Sequence, residues 1–320
     1  MADGGLDDYV DATGGDGEAE EAGRKAEPPV DLEDVTVLVP TLNEAATIGE
    51  VVSGYLELGF DDVFVIDGGS ADGTRETARE NGARVVRQSG VGKGQAFREA
   101  LSMVDRRYVL MVDGDGTYGV DDAFDVLAPL AEDVDHVIGD RLGNPEAFSR
   151  LNYVGNRIFN LEFRLAHGYD LRDILSGYRA FRTESVRRMR LREDGFGIET
   201  EMSAETVRLG QRVAVVSVDY RPRPDGSREK LRPVRDGARI GYTVYRTTRT
   251  SNPGFYFGVW GALSAVAGVF GLGYLWVAAD AGVLPTTVTF SLLLAAVVLF
   301  AVAGHAEMTK DLHDELLDRL

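Results

Sequence analysis

Two aspartates spaced two residues apart, Asp113 and Asp115, close the segment Tyr108-Val-Leu-Met-Val-Asp-Gly-Asp-Gly-Thr-Tyr118. The apolar run Tyr108–Val112 reads as a buried parallel strand ended by a glycine-rich turn. Open α/β sheets bind their ligands outside the carboxyl ends of such strands. Two carboxylates at that edge repel each other unless a cation lies between them. Hard oxygen donors suit Mg²⁺ or Mn²⁺, which keep coordination positions free for substrate phosphates. The alternative is a plain acidic turn, because Asp-Gly pairs favour turns.

Three further loops combine glycine with polar side chains. Pro40-Thr-Leu-Asn-Glu44 leads into a helix, where Asn43 could act as a cap or the helix N-terminus could face an anion. In Asp67-Gly-Gly-Ser-Ala-Asp-Gly-Thr74 the glycines let backbone approach a ligand, and Asp67 could accept bonds from a base or ribose. A capped turn explains the same residues. Gly90-Val-Gly-Lys93-Gly94 resembles a phosphate-binding P-loop, but Gly94 stands where Ser or Thr is needed and the glycine spacing differs. What remains is Lys93, a basic residue on a glycine-rich turn suited to phosphates.

Alternating elements must hold these loops. Val35–Val39, Val63–Ile66, Arg84–Val86, Tyr108–Val112, His136–Ile138 and Val213–Tyr220 read as strands. Ala45–Leu58, Gly73–Asn81 and Gly94–Val104 read as the intervening helices. This βαβα order predicts a doubly wound α/β domain.

The chain has 320 residues, no cysteine and a net charge of −18. Disulfides and thiolate metal sites are excluded, and the acidity argues against nucleic-acid binding. Residues 1–34 carry twelve Asp/Glu against Arg24 and Lys25 and read as a disordered acidic tail without signal-peptide character. Only four lysines accompany the thirty arginines. That bias fits a salt-saturated cytoplasm, with high-GC codon usage as the alternative. Neither 251–279 nor 281–304 holds a charged residue, and each exceeds the roughly 20 residues that cross a bilayer. They read as a hairpin of two transmembrane helices (255–304), preceded by a basic juxtamembrane segment (236–254). Arginines from Arg221 to Arg249 before the first span place residues 1–250 on the cytoplasmic side. Residues 305–320 read as an amphipathic cytoplasmic tail.

In this order and at these spacings, PTLNE, DGGSADGT, GVGKG and VDGDGTY resemble family 2 glycosyltransferases of the GT-A fold. The resemblance covers about residues 35–235 and continues through Gly139-Asp-Arg141, Ser176-Gly-Tyr-Arg179, Glu199-x-Glu201 and Arg223-Pro-Asp-Gly-Ser227-Arg-Glu-Lys230. With the hairpin, it is similar to the dolichyl-phosphate mannose/glucose synthase type, archaeal members that begin the N-glycan of S-layer glycoproteins included. It implies inverting, metal-dependent transfer of a hexose to dolichyl phosphate, from UDP-glucose or else GDP-mannose. It implies that Pro40, Glu44, Asp67, Lys93 and Asp113 bind the donor, and that Asp113 and Asp115 hold Mg²⁺ or Mn²⁺. Arg141, Arg179, Ser227 and Lys230 would meet phosphates, with Asp115 and Arg141 in the chemistry. Glu201, or Glu199, is the base should one exist. Gly68 departs from the pattern, since many members carry a second Asp there. A hydroxyl acceptor and a catalytically silent sugar-nucleotide scaffold are the rival readings.

Overall fold

The computed structural model describes residues 9–11, 27–224, 233–278 and 282–318. The chain forms two compact units, Met1–Val244 and Tyr245–Leu320. The first is built on an eight-stranded sheet of order β1-β8-β6-β7-β5-β2-β3-β4. Its strands are β1 (Tyr9–Asp11), β2 (Val35–Thr41), β3 (Val63–Asp67), β4 (Arg84–Arg87), β5 (Tyr108–Met111), β6 (His136–Asp140), β7 (Arg179–Arg182) and β8 (Val213–Ser217).

Strands β2, β3 and β5 are legible because they are short apolar runs buried on both faces. Val35, Val37 and Val39 of β2 join Val63 and Val65 of β3 and Leu110 of β5 on one side. Leu38, Phe64, Ile66, Val109 and Met111 face the other. Helix α1 (Ile48–Glu57) follows β2, α2 (Thr74–Glu80) follows β3, and α3 (Lys93–Leu101) follows β4. These begin and end within a few residues of the expected helices. The chain runs outward from β2 to β3 and β4, then returns to β5 on the other side of β2. The carboxyl ends of β2 and β5 therefore flank the switch point where such sheets open a crevice.

Three features depart from expectation. Strand β7 is antiparallel to both β5 and β6, so the sheet is mixed. Four residues, two of them arginines, carry no strand pattern, and β7 exists because both neighbours supply its hydrogen bonds. The acidic tail is not unstructured throughout: Tyr9–Asp11 pairs parallel with β8, and Leu32–Asp34 is a 3₁₀ turn. The rest of that tail, residues 1–8 and 12–26, lies outside the described residues. The first unit also extends past residue 235, for Ile240, Thr243 and Val244 are buried. After β5 and β6 come α4 (Ala123–Ala131) and α5 (Arg150–His167). The short α6 (Thr183–Arg187) and α7 (Ile198–Arg208) follow β7, and α8 (Pro233–Ser251) follows β8.

The second unit holds α9 (Pro253–Val277) and α10 (Val283–Asp318). Asn252 caps α9 by accepting from the Phe255 amide at 3.1 Å. Pro253–Val277 and Val283–Thr309 are long and apolar enough to cross a membrane. Gly261 and Gly268 let the two helices approach, facing Phe300 and Leu293 with no room for a β-carbon at Gly268. The expected separate tail is instead continuous with α10 as far as Asp318.

Arg179 at the start of β7 is fully buried. Its Nε donates to the Ser176 carbonyl and its Nη2 to the Ile174 carbonyl, each at 2.8 Å, and Nη1 donates to Ser203 Oγ at 3.1 Å. Burial lowers its pKa to about 10. Arg179→Met should leave these acceptors unsatisfied and cost about 2–4 kcal/mol of stability. Thermal unfolding of the detergent-solubilised chain measures this, and an unchanged midpoint would refute the structural role.

Candidate active site

A cavity of about 720 Å³ opens at the carboxyl ends of β2, β3 and β5. Strand register brings its parts together: Thr41 lies opposite Asp67, and Leu38 opposite Met111, two residues before Asp113. Pro40, Glu44, Gly68, Lys93, Asp113, Asp115, Arg141, Glu199, Tyr220 and Arg223 all line it.

The Asp113–Asp115 loop is fixed from three sides. The Thr47 hydroxyl donates to the Gly114 carbonyl at 2.8 Å. Asp115 Oδ1 accepts from the amide and hydroxyl of Thr117, at 3.1 and 2.6 Å. Asp115 Oδ2 pairs with Arg223 Nη2 at 2.5 Å, and Arg223 Nη1 reaches Glu44 Oε1 at 3.4 Å. Burial, then the charge of Asp113, pushes the Asp115 carboxyl above its ordinary range despite Arg223. Asp113 Oδ1 pairs with Lys93 Nζ at 2.5 Å, and the same ammonium meets Glu199 Oε1 at 2.6 Å. Burial opposes the Lys93 charge, but the two carboxylates outweigh it and raise the pKa.

Lys93 owes its position to the glycines beside it. Gly92 has φ 105°, and a side chain at Gly92 or Gly94 would run into the carbonyls of Asp194 or Glu193. The Gly94 amide donates to the Asp194 carbonyl at 3.0 Å. These glycines thus serve close packing against the 193–195 segment rather than a phosphate cradle.

On the opposite wall Arg141 is clamped by Asp173, Nε to Oδ2 at 2.7 Å and Nη2 to Oδ1 at 2.9 Å. Its guanidinium lies 5.5 Å from the Phe148 ring centroid and 5.2 Å from that of Tyr220. Asn156 Nδ2 donates to Asp173 Oδ1 at 3.2 Å. Burial favours the neutral form of Asp173, yet the Arg141 charge and these hydrogen bonds hold its carboxyl below the ordinary range.

Three expected site residues are placed elsewhere. Asp67 is fully buried and turned into its own loop, where Oδ2 accepts from the amides of Gly69 (2.9 Å) and Ser70 (3.0 Å). It shapes the loop that presents Gly68 and does not itself face the cavity. Arg179 is committed to the bonds described above and does not line the cavity. Glu201 Oε2 accepts from the amides of Arg192 and Glu193, both at 2.7 Å, so it braces the 192–193 turn and does not line the cavity. Asn43 ties the loops together rather than capping α1, its Oδ1 accepting from the Ala71 amide at 2.9 Å. Ser227 and Lys230 lie outside the described residues. Sequence reasoning missed Asp173, Phe148 and Tyr220, none of which stands in a charged motif. Arg223 was legible only as the first residue of the Arg-Pro-Asp-Gly-Ser stretch.

Among the described residues no three His, Cys, Asp or Glu side chains form a metal cage. The donor set still fits a divalent cation. Two hard carboxylates share the cavity, and burial, then the charge of Asp113, pushes Asp115 toward its neutral form; a cation removes the repulsive part. Mg²⁺ or Mn²⁺ bound by one or two carboxylates keeps positions for phosphate oxygens and water.

Residues 36–190 match the profile of glycosyl transferase family 2. The chain is 56% identical over 238 residues to glycosyltransferase AglJ of Haloferax volcanii, covering 73% of this chain and 78% of that one. The chain belongs to glycosyltransferase family 2. It is also 32% identical over 218 residues to a dolichyl-phosphate hexose transferase of Haloferax volcanii, covering 67% of this chain and 94% of the relative. A crystal structure of glucosyl-3-phosphoglycerate synthase from Mycobacterium tuberculosis, in complex with Mn²⁺, UDP-glucose and phosphoglyceric acid, superposes with a TM-score of 0.56. It shares 25% identity, covering 68% of this chain and 82% of that one. The fold of the first unit is GT-A, and the protein is a glycosyltransferase.

Asp173 gives a pH test. Its depressed pKa contributes stability that is present above the ordinary carboxyl value of 3.8 and lost as pH falls through the folded value. Asp173→Asn should therefore unfold at a lower temperature at pH 7, with the gap to wild type closing toward pH 3. A gap constant with pH would show that the carboxylate charge is not what holds Arg141.

Proposed function

We propose that this glycosyltransferase moves a hexose, glucose in preference to mannose, from a nucleotide sugar to dolichyl phosphate with inversion. The observation that carries this reading is the chemistry of one cavity. Cationic side chains (Lys93, Arg141, Arg223, Arg235 and Arg239) share it with an apolar wall of Leu151, Phe159, Leu175, Phe196 and Ile240. Such a lining suits a phosphate carrying a large apolar substituent.

The carboxylates support the same acceptor. Glu199 is tied to Lys93, Glu44 to Arg223, and Glu201 to backbone amides. A hydroxyl acceptor needs a carboxylate or imidazole within reach of its proton. A phosphate monoester is already anionic near neutral pH and needs none. Its oxygen forms a bond to the anomeric carbon as the bond from that carbon to the diphosphate oxygen breaks. The nucleoside diphosphate leaves with the electron pair, and an α-linked donor gives a β-linked hexosyl phosphate lipid.

Pro40, Glu44 and the Gly68 loop would hold the nucleoside, and Lys93 and Arg223 the donor phosphates. Arg141, rigid in its clamp, offers a fixed positive charge to a phosphate entering beside Tyr220. Asp113 and Asp115 would hold Mg²⁺ or Mn²⁺, which when bound stabilises the charge on the departing diphosphate. The UDP-glucose in the mycobacterial synthase supports that donor. The dolichyl-phosphate hexose transferase relative supports the acceptor, and an early role in N-glycan assembly belongs to the same proposal. The arginines preceding Pro253 support a membrane-spanning hairpin with the catalytic unit on the cytoplasmic side.

Membranes containing the protein, given dolichyl phosphate, Mn²⁺ and labelled UDP-glucose or GDP-mannose, should yield a labelled hexosyl phosphate lipid from UDP-glucose. Label from neither donor would sink the proposal. A chelator should abolish turnover, and Asp115→Asn should lower kcat/KM by about 10²–10³-fold, as loss of a transition-state electrostatic group does. Glu199→Gln should keep activity within about tenfold, whereas loss of a general base typically costs 10²–10⁴-fold. Measured kcat for this variant separates the phosphate acceptor from a hydroxyl acceptor.

A further inference from the structure

Two asparagines four residues apart, Asn156 and Asn160, stand midway along α5 on its inward face, the first buried and the second half-buried. Asparagine is a weak helix former, because its amide competes with the backbone for hydrogen bonds. An apolar residue would serve a packed helix face better, so these two have another use. Their hydrogen bonds run in one direction. The Ile174 amide can only donate, and Asn160 Oδ1 accepts it at 2.9 Å. Asn160 Nδ2 donates to Asn156 Oδ1 at 3.0 Å, and Asn156 Nδ2 donates to Asp173 Oδ1 at 3.2 Å. A carboxamide has one accepting and one donating end, so the first of these bonds orients both asparagines.

The run ends on the clamp of Arg141. Asp173 takes Arg141 by Nε and Nη2, and its Oδ2 also accepts from the Arg141 amide at 3.3 Å. The loop that carries Asp173 is strained. Arg172, just before it, has φ 54°, in the left-handed region that a residue with a side chain seldom adopts. The two asparagines therefore hold a carboxylate that its own loop does not hold at ease. Arg141 lines the cavity, and its Nη1 bonds to none of the described residues. That nitrogen is what Arg141 has left for a ligand. We infer that Asn156 and Asn160 are positioning residues for the acceptor phosphate, fixing through Asp173 the angle at which Arg141 offers Nη1 to the cavity. The inference rests on the reading of a lipid phosphate acceptor given above. Neither asparagine bonds to Lys93, Asp113, Asp115 or Arg223, so the donor end of the cavity should not feel them.

Binding, rather than turnover, tests this. The full chain in detergent is titrated by calorimetry with farnesyl phosphate, a short lipid phosphate monoester, and separately with UDP and Mn²⁺. Asn156→Leu removes the bond to Asp173. Asn160→Asp keeps the acceptor for the Ile174 amide but has no N–H for Asn156, which breaks the run at that link. Each variant should weaken farnesyl phosphate by about fivefold or more, the worth of one hydrogen bond, and leave UDP within about twofold. Arg141→Met should weaken it at least as much. Adding either asparagine variant to Arg141→Met should cost no more than about twofold further, since a residue acting through Arg141 has nothing left to act on. Losses that multiply in the double variants overturn the inference. So does an equal loss of UDP affinity, which marks a general loosening of the fold. Should Asn156→Leu fail to fold, Asn160→Asp carries the same test. Wild-type binding of farnesyl phosphate that both single variants retain sinks this inference alone. A wild-type chain that binds UDP but no farnesyl phosphate sinks the acceptor reading and this inference with it.

Discussion

The site depends on balancing like charges in a small space. Asp113 and Asp115 stand at one strand end, with Glu44 and Glu199 in the same cavity. Lys93 and Arg223 each bridge one member of the aspartate pair to one of the glutamates. At low local dielectric these pairings are worth far more than on the surface, and breaking any one leaves an uncompensated charge. A divalent cation carrying a diphosphate brings both signs at once. Under the proposed function Asp113 and Asp115 would hold such a cation, and Lys93 and Arg223 would meet phosphate oxygens.

The sheet supplies the coordinates for this exchange. Because β3 and β4 lie on one side of β2 and β5 on the other, the Pro40, Gly68 and Asp113 loops converge at the switch point. The antiparallel β7 lies between β5 and β6 in the sheet, and buried Arg179 stitches the loop before it to α7 through Ser203. That loop holds Asp173, whose carboxylate orients Arg141. Removing the polar cluster around Arg179 would loosen the cation on the far wall, although the two guanidinium groups have separate partners.

One wall of the cavity is apolar. The mycobacterial synthase was crystallised with phosphoglyceric acid, a small soluble phosphate. The Haloferax volcanii relative is a dolichyl-phosphate hexose transferase. Leu151, Phe159 and Ile240 in that wall come from α5 and α8.

Local order in the sequence was enough for the strands that are apolar throughout, the helices between them, the four loops and the two long apolar helices. Each follows from a pattern within about twenty residues, and the ordered motifs identified the family and the aspartate pair. Tertiary structure decided what each polar side chain is for. Asp67, Arg179 and Glu201 belong to the motifs yet are buried within the scaffold, because a motif fixes residue type and loop position but not which way the side chain turns. Asp173, Tyr220 and Arg223 join the site from segments 80 or more residues distant from Lys93, and no local pattern encodes such meetings. β7 formed against its composition because two neighbouring strands satisfied its backbone. The sequence alone thus determined the kind of chemistry, through hard carboxylates and cations at strand ends. The fold decided which of them face one another, since charge pairing and burial are settled only when distant segments share one cavity.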